Sequence, residues 1–475
     1  MSQEHDAIVV GAGAGGLTVA IGLADMGRRV ALVESGRIGG ECTNVGCIPS
    51  KRLIHLSREP ALRANAAAAL ADVRATRDAL AQREAREIAE HPRIESVAGR
   101  GVLRSGPAVA VTSPDRAVRT LAAPNVILAT GSRPRTVAIP GLPPERVLTN
   151  ESLFELAEPP GHLAIVGAGP VGLEMACALT RLGSRVSLID MADRVLPQAD
   201  PAASATLLES LAEQGIAVHL GARAARFDEG AGRILTLGAP AGEVPLEGVD
   251  AVLMALGRTP NADAAGGLLA GGPTGITVDQ WGRTSMQGVF AVGDVTPLAH
   301  QTHAANAFGR RIVQRIALTG TTALNRRVPA MPSAVYADPE VAWVGPVASE
   351  RARRCPDGAL LDITVRMADT DRGLTDGVRH GFVQISAVRL TGRVVAATVV
   401  GPRAAELLPL LTYAVDHGVS LLRIQRMVHA YPTLAGAIGR AADEFARRTL
   451  PNLPTEALAY GRHRVLGGLR RRLGG

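Results

Sequence analysis

A chain of 475 residues has room for about two to four domains, each with an ample core. Its composition is rich in Ala and Gly and only 3% aromatic, which suits nucleotide-binding α/β domains rather than modules that stack bases. The formal charge of +7 includes a surplus of four from Pro451 onward, where five arginines face one glutamate, so the body is nearly balanced and no nucleic-acid partner is expected.

The sequence opens Met-Ser-Gln-Glu-His-Asp and runs straight into the apolar stretch Ala7 to Val10, so no secretory signal is expected. That stretch predicts a strand meeting Gly11-Ala-Gly-Ala-Gly-Gly16, then an apolar helix to Met26 and a second strand, Arg29 to Val33, ending at Glu34. Strand, glycine turn, helix, strand and acid together form a dinucleotide fingerprint, in which the turn lets a pyrophosphate approach the helix N-terminus and the acid accepts ribose hydroxyls. The unit recurs at His162 to Val166, Gly167-Ala-Gly-Pro-Val-Gly172, a helix to Leu182 and a strand from Arg185 to Ile189 ending at Asp190. In each copy the acid follows the third glycine by 18 residues, a coincidence that chance glycine turns do not produce.

Residues 39–51, Gly-Gly-Glu-Cys-Thr-Asn-Val-Gly-Cys-Ile-Pro-Ser-Lys, hold two of the four cysteines and the only lysine, Lys51, in a chain whose other cations are arginine and histidine. A compact ammonium on a flexible stem is not interchangeable with a planar guanidinium, so this one lysine marks a place where arginine does not serve. Cys42 and Cys47 are near enough in sequence to join as a disulfide. With no uncharged apolar run of membrane-spanning length, a soluble, cytoplasmic protein is expected, where a close cysteine pair is more often catalytic or metal-binding than structural. No further Cys or His at matching spacing completes a zinc site, while Cys177 and Cys355 read as packing or idle thiols.

Between the two units, Arg58 to Glu90 reads as one or two exposed helices, followed by short strands up to Ala122. The strand Asn125 to Leu128 runs into Ala129-Thr-Gly-Ser-Arg-Pro134, and Asp250 to Leu256 runs likewise into Gly257-Arg-Thr-Pro-Asn261. Gly288-Val-Phe-Ala-Val-Gly-Asp294 is a third strand ending in an acid beside glycine. From Val328 the texture changes to alternating β-branched segments and two amphipathic helices, a separate α+β domain.

Cysteine pair, duplicated nucleotide units and Gly-Asp turn, in this order, resemble the FAD-dependent pyridine nucleotide-disulfide oxidoreductases, the family of dihydrolipoamide dehydrogenase, glutathione reductase and mercuric reductase, from about residue 6 to about residue 450. The resemblance implies two Rossmann-like α/β domains and a C-terminal α+β dimerisation domain: FAD-binding over 1–150 and 285–327, NAD(P)-binding over 151–284, dimerisation over 328–450 of a homodimer, and a basic tail over 451–475. By the same resemblance Gly11, Gly13, Gly16 and Glu34 hold the FAD adenosine and Asp294 its ribitol or pyrophosphate. The helix opening near Thr302 to Ala304 points its positive end at the flavin. Thr130, Gly131 and Gly257 are counted with the cofactor residues, and Gly167, Gly169, Gly172 and Asp190 with the nicotinamide nucleotide. Cys47 is the flavin-side thiol, Cys42 meets the substrate, and Lys51 pairs with Glu174 beside the flavin. Electrons then run from NAD(P)H through FAD to the redox-active disulfide, releasing Cys42 as the thiolate that attacks or coordinates the acceptor. The carboxylate of Asp190 favours NAD over NADP, with Arg194 four residues on as the opposing signal.

One motif departs from the family. Where dihydrolipoamide dehydrogenase and glutathione reductase carry His-Pro-Thr-x-x-Glu, this chain reads His429-Ala-Tyr-Pro-Thr-Leu-Ala-Gly436, with Tyr431 in place of the histidine and glycine in place of the glutamate. A tyrosine, with a reference pKa of about 10, is a poor base at neutral pH, and this region resembles mercuric reductase, whose acceptor is a soft metal ion. The resemblance to that enzyme is expected to be to its catalytic body only, without its extreme C-terminal cysteine pair and N-terminal metal-binding domain. His429 is the alternative proton carrier, two residues off register. The leading expectation is an NADH-dependent reductase with a small-molecule or metal-ion acceptor. The alternatives are a dihydrolipoamide dehydrogenase, or a flavin-binding protein acting in assembly or membrane docking through the basic, leucine-spaced tail.

Overall fold

The computed structural model describes residues 4–240, 242–298, 300–318, 327–355, 358–458 and 461. The arginines of the basic tail, from 462 on, lie outside the described residues, and with them the proposed tail contact. Among the described residues no helix is long and apolar enough to cross a membrane. The chain divides into two compact units, one of residues 1–161, 181–184 and 250–328, the other of residues 162–180, 185–249 and 329–475.

The first unit is built on a five-stranded sheet in the order Val289–Ala291, Asn125–Leu128, Ala7–Val10, Val30–Glu34, Ile94–Ala98. Its ladders are parallel, with Ala7 opposite both Val30 and Asn125. The central strand is buried at every position, as a parallel sheet covered on both faces requires. On one face the helices Ala14–Asp25 and Thr302–Ala317 pack together, and glycines set their separation: a Cβ on Gly22 would meet Val313 Cγ2 at 2.9 Å, and one on Gly309 would meet Thr18 Cγ2 at 3.0 Å. On the other face a three-stranded antiparallel sheet, Arg100–Leu103, Ala108–Thr112 and Val118–Ala122, closes a core of Ile8, Val10, Leu103, Val109, Val111 and Leu128. The stretch read as one or two helices contains Pro60–Arg63 and the 24-residue helix Ala66–Ala89, capped by Asn65, whose side chain accepts the Ala68 N–H at 3.1 Å.

In the second unit the strands His162–Val166, Arg185–Ile189 and Ala217–His219 form a parallel ladder beside the helix Pro170–Arg181. The C-terminal part is an antiparallel sheet in the order Ser333–Val335, Glu340–Val344, Val394–Gly401, Phe382–Val388, Leu360–Arg366. The helices Ala404–His417, Leu421–Gln425 and Gly436–Thr449 share its core around Ile385, Val399, Leu411 and Phe445. Short helices at Ala348–Arg354, Asp371–Thr375 and Leu421–Gln425 exceed the two that the amphipathic pattern marks. Asp200, only 2% exposed, precedes the helix Pro201–Glu213 and ties it to the C-terminal sheet. It accepts from Ala348 N at 2.5 Å, Thr398 Oγ1 at 2.9 Å and Arg351 Nη1 at 3.3 Å.

Candidate active site

Both glycine turns have one construction. Gly11 and Gly167 adopt φ of +104° and +116°, and a Cβ on Gly16 or Gly172 would overlap the carbonyl oxygen of Gly11 or Gly167. The first and third glycines are thus demanded by the chain's own packing. The second glycine is not: a Cβ on Gly13 would reach only Gly40 Cα, at 3.8 Å, and one on Gly169 would meet nothing within 4 Å. That open space at a helix N-terminus is what a pyrophosphate needs.

Behind each turn the acid is locked by backbone. Glu34 accepts from Ala12 N at 2.6 Å and Gly36 N at 2.7 Å, and Asp190 accepts from Ala168 N at 2.6 Å and Ala192 N at 2.8 Å. A carboxylate has about four lone-pair sites, so each keeps acceptor capacity for ribose hydroxyls. Gly11, Gly13, Glu34, Thr130 and Gly131 line one cavity of about 420 Å³ in the first unit. Its far wall is pinned by reciprocal bonds, Thr130 Oγ1 to Asn261 O and Asn261 Nδ2 to Thr130 O, both 2.9 Å. The residues present therefore fit an adenine dinucleotide.

The cysteine segment lies against this turn because Gly39 and Gly40, at φ of +94° and +59°, bring its backbone so close that a Cβ on Gly40 would overlap Gly13 Cα. Cys42 sits in the short helix Gly40–Asn44, and Cys47 opens the helix Cys47–Leu56. Buried Asn44 braces the first helix, donating to Ile38 O at 3.0 Å and Gly40 O at 2.8 Å. Both cysteines are thiols, hydrogen-bonded to each other, and that bond, with burial, pushes the Cys42 thiol far above its ordinary range. Cys47 Sγ lies 3.5 Å from the hydroxyl of Thr302, first residue of the helix Thr302–Ala317, whose first turn holds fully buried Ala304. A helix N-terminus favours negative charge at that sulfur. Lys51, four residues beyond Cys47, shares its helix face.

Sequence reasoning missed a charged cluster beside the pair. Glu41, immediately before Cys42, accepts from Asn150 Nδ2 at 3.0 Å and is ion-paired with Arg258. Arg258 follows Gly257, donates to Ser132 Oγ at 2.7 Å and lies 3.9 Å from Asp294, which accepts the Ser132 hydroxyl at 2.9 Å. Burial outweighs the neighbouring Arg258 and lifts the Glu41 carboxyl to about 7. The available signal was an acid inside the cysteine motif together with an arginine beside Gly257.

In the second unit Glu174 follows Gly172 by two positions, is 5% exposed, and accepts the Tyr336 N–H at 3.0 Å. Tyr431 and His429 differ in burial. Tyr431 is 80% exposed, whereas the His429 ring lies against Gly439 of the last long helix with its Nε2 buried and without a hydrogen-bond partner among the described residues. Tyr431 hydrogen-bonds Asp371, which raises the phenol above its ordinary range.

Residues 5–309 match the pyridine nucleotide-disulphide oxidoreductase family, and residues 331–442 match its dimerisation domain. Dihydrolipoyl dehydrogenase 3 of Haloarcula marismortui is 31% identical over 95% of this chain and 98% of its own, and the mercuric reductase of Streptomyces lividans is 32% identical over 94% and 98%. Among solved structures, LpdA of Mycobacterium tuberculosis superposes with a TM-score of 0.81 at 29% identity, covering 92% of this chain and 99% of that one. The copper(II) complex of the HOCl-induced flavoprotein disulfide reductase RclA of Escherichia coli shares the fold, with a TM-score of 0.84 at 24% identity over 94% and 100%. The chain belongs to the pyridine nucleotide-disulphide oxidoreductase family, as an FAD- and NAD(P)-dependent disulfide oxidoreductase with a C-terminal homodimerisation domain.

Proposed function

We propose that the protein passes electrons from NADH through FAD and the Cys42–Cys47 pair to a soft metal ion, in the manner of a mercuric reductase. The observation that carries this reading is the state of Tyr431. It stands where dihydrolipoamide dehydrogenase and glutathione reductase carry a histidine, and Asp371 raises its phenol above the ordinary range, so no base near neutral pH stands at that position to take a proton from a dithiol. Two thiols in mutual hydrogen-bond contact suit a thiophilic cation, which binds as thiol protons leave.

Bound flavin would supply the two-electron relay between nicotinamide and sulfur. Gly11, Gly13, Gly16 and Glu34 hold its adenosine end. Thr130 and Gly131 line the cavity beyond, and Asp294, the Thr302–Ala304 helix end and Lys51 would attend the rest of the cofactor. Cys47 faces the flavin and Cys42 meets the acceptor. Reduction of a divalent soft cation consumes one NADH and yields the metal, NAD⁺ and a proton. NADH is favoured over NADPH because the Asp190 carboxylate would face a 2′-phosphate, while Arg194 donates to Pro197 O at 2.7 Å within its own turn.

Steady-state oxidation of NADH and NADPH against mercuric ion under excess thiol, lipoamide and glutathione disulfide tests this reading. Mercuric-dependent oxidation with the higher kcat/KM for NADH is expected. Saturable lipoamide turnover at ordinary enzyme rates, roughly 1–1000 per second, overturns the acceptor.

A further inference from the structure

The dinucleotide cavity carries a charged pair for which neither the glycine fingerprint nor the cysteine segment accounts. Arg100 Nη2 donates to Asp263 Oδ2, and both residues line the cavity together with Glu34. Their side chains are 67% and 54% exposed, so the pair has the cavity on one side and solvent on the other. Arg133 stands beside it, 4.0 Å from Asp263 and donating to Asn261 Oδ1 at 2.9 Å.

The backbones that carry the pair are fixed by packing. Arg100 lies between Gly99, whose N–H donates to Glu34 O at 2.8 Å, and Gly101. A Cβ on Gly99 would meet Thr112 O at 2.6 Å, and one on Gly101 would meet Val10 Cγ1 at 2.8 Å, so this wall of the cavity closes only with glycine on both sides of Arg100. Asp263 rides on the short 3₁₀ helix Ala262–Ala265, in which Ala264 and Ala265 are buried. Behind it Gly266, at φ of +60°, packs so closely that a Cβ would meet Leu103 O at 2.7 Å. Two rigid walls are thus bridged by two side chains that move by rotamer change alone.

We propose that Arg100 and Asp263 form a clasp across the dinucleotide cavity, which slows the release of FAD by closing over its adenosine half. The clasp is indifferent to the electron acceptor and rests on the assignment of the Glu34 cavity to the adenosine. Ribose and base leave only while the side chains are swung apart, so the strength of the pair sets how often release succeeds. An exposed pair is weak, and the clasp accordingly governs residence time by a small factor.

The test follows FAD release from the full-length holoenzyme, by ultrafiltration of free flavin after dilution, in R100Q, D263N, R100Q/D263N and the charge reversal R100E/D263R. At low salt each single variant should release FAD about two- to fivefold faster, the factor that one exposed ion pair carries. The double variant should be no faster than the faster single one, and the reversal should recover part of the loss, with Arg133 opposing full recovery. In about 1 M sodium chloride, where screening acts over about 3 Å, variants and unmutated protein should converge, which a merely structural lesion would not produce. G13V is the control for the cavity itself: a side chain there enters the open space that a pyrophosphate needs, so this variant should lose FAD. If G13V retains FAD as the unmutated protein does, the assignment of the cavity falls and this inference with it. If G13V loses FAD but R100Q or D263N releases it no faster than the unmutated protein, or the difference persists in high salt, the clasp is wrong and the assignment stands.

Discussion

Glu41 shows how one side chain records its surroundings. Its carboxyl is lifted from the usual 4.5 to about 7 by burial, with Asp294 and Cys47 adding to the rise and Arg258 opposing it. The folded chain therefore holds a proton between these two values that the unfolded chain has released, so the contribution of Glu41 to stability falls as pH rises through that window. E41Q should flatten this part of the profile: the melting temperature of the unmutated protein relative to E41Q should decline from pH 5 to pH 8. Parallel profiles across that range would show that Glu41 is ionised throughout. Glu34 and Asp190 were legible from sequence because a fixed spacing from glycine carries their role. The role of Glu41 depends on Arg258 and Asn150, more than a hundred residues away, so no local pattern could announce it. Tyr431 was legible only as a missing histidine, because Asp371, which raises its phenol, lies on a short helix with no motif of its own.

Elements with a strong period were legible. The strand Asn125–Leu128 falls where its apolar run predicts, and the second nucleotide helix ends at Arg181, one residue before the expected limit. The short helices Ala348–Arg354 and Asp371–Thr375 escaped, being too brief for a 3.6-residue period to repeat. Connections between elements escaped altogether, and Asp200 is the clearest. Pro201 after an aspartate reads as an ordinary helix start, yet Asp200 spends its carboxylate on Ala348, Arg351 and Thr398 rather than on capping its own helix. Its side chain is 3% exposed and that of Arg351 8%, so removing one partner strands a buried charge. D200A should destabilise the fold by about 3–5 kcal/mol in denaturant titration, and D200N by less, since the amide oxygen still accepts from Ala348 or Thr398. A loss under 1 kcal/mol in D200A would mean that water reaches Arg351.

At the scale of the whole molecule, the apolar side chains left exposed speak most directly to assembly. Met191 and Leu458, each 73% exposed, lie elsewhere, but Val428 at 98%, Tyr431 at 80%, Leu374 at 71% and Tyr413 at 57% lie within residues 331–442, the part that matches the dimerisation domain. An exposed valine gives a folded monomer almost nothing, and substitutions at such places usually change stability by less than about 0.5 kcal/mol. In a twofold-symmetric homodimer the same patch serves both subunits, so one substitution places two charges in the interface. V428E should therefore leave far-ultraviolet circular dichroism unchanged while shifting light-scattering mass after size exclusion from dimer toward monomer on dilution. A dimer that persists at every concentration would place Val428 outside the interface. The monomer so produced separates the two ends of the electron path: flavin reduction by NADH should persist, because the cysteine pair and the dinucleotide cavity belong to one chain. Mercuric turnover should fall with dimer content if Tyr431 serves a partner's thiols, and should be independent of concentration if it serves its own.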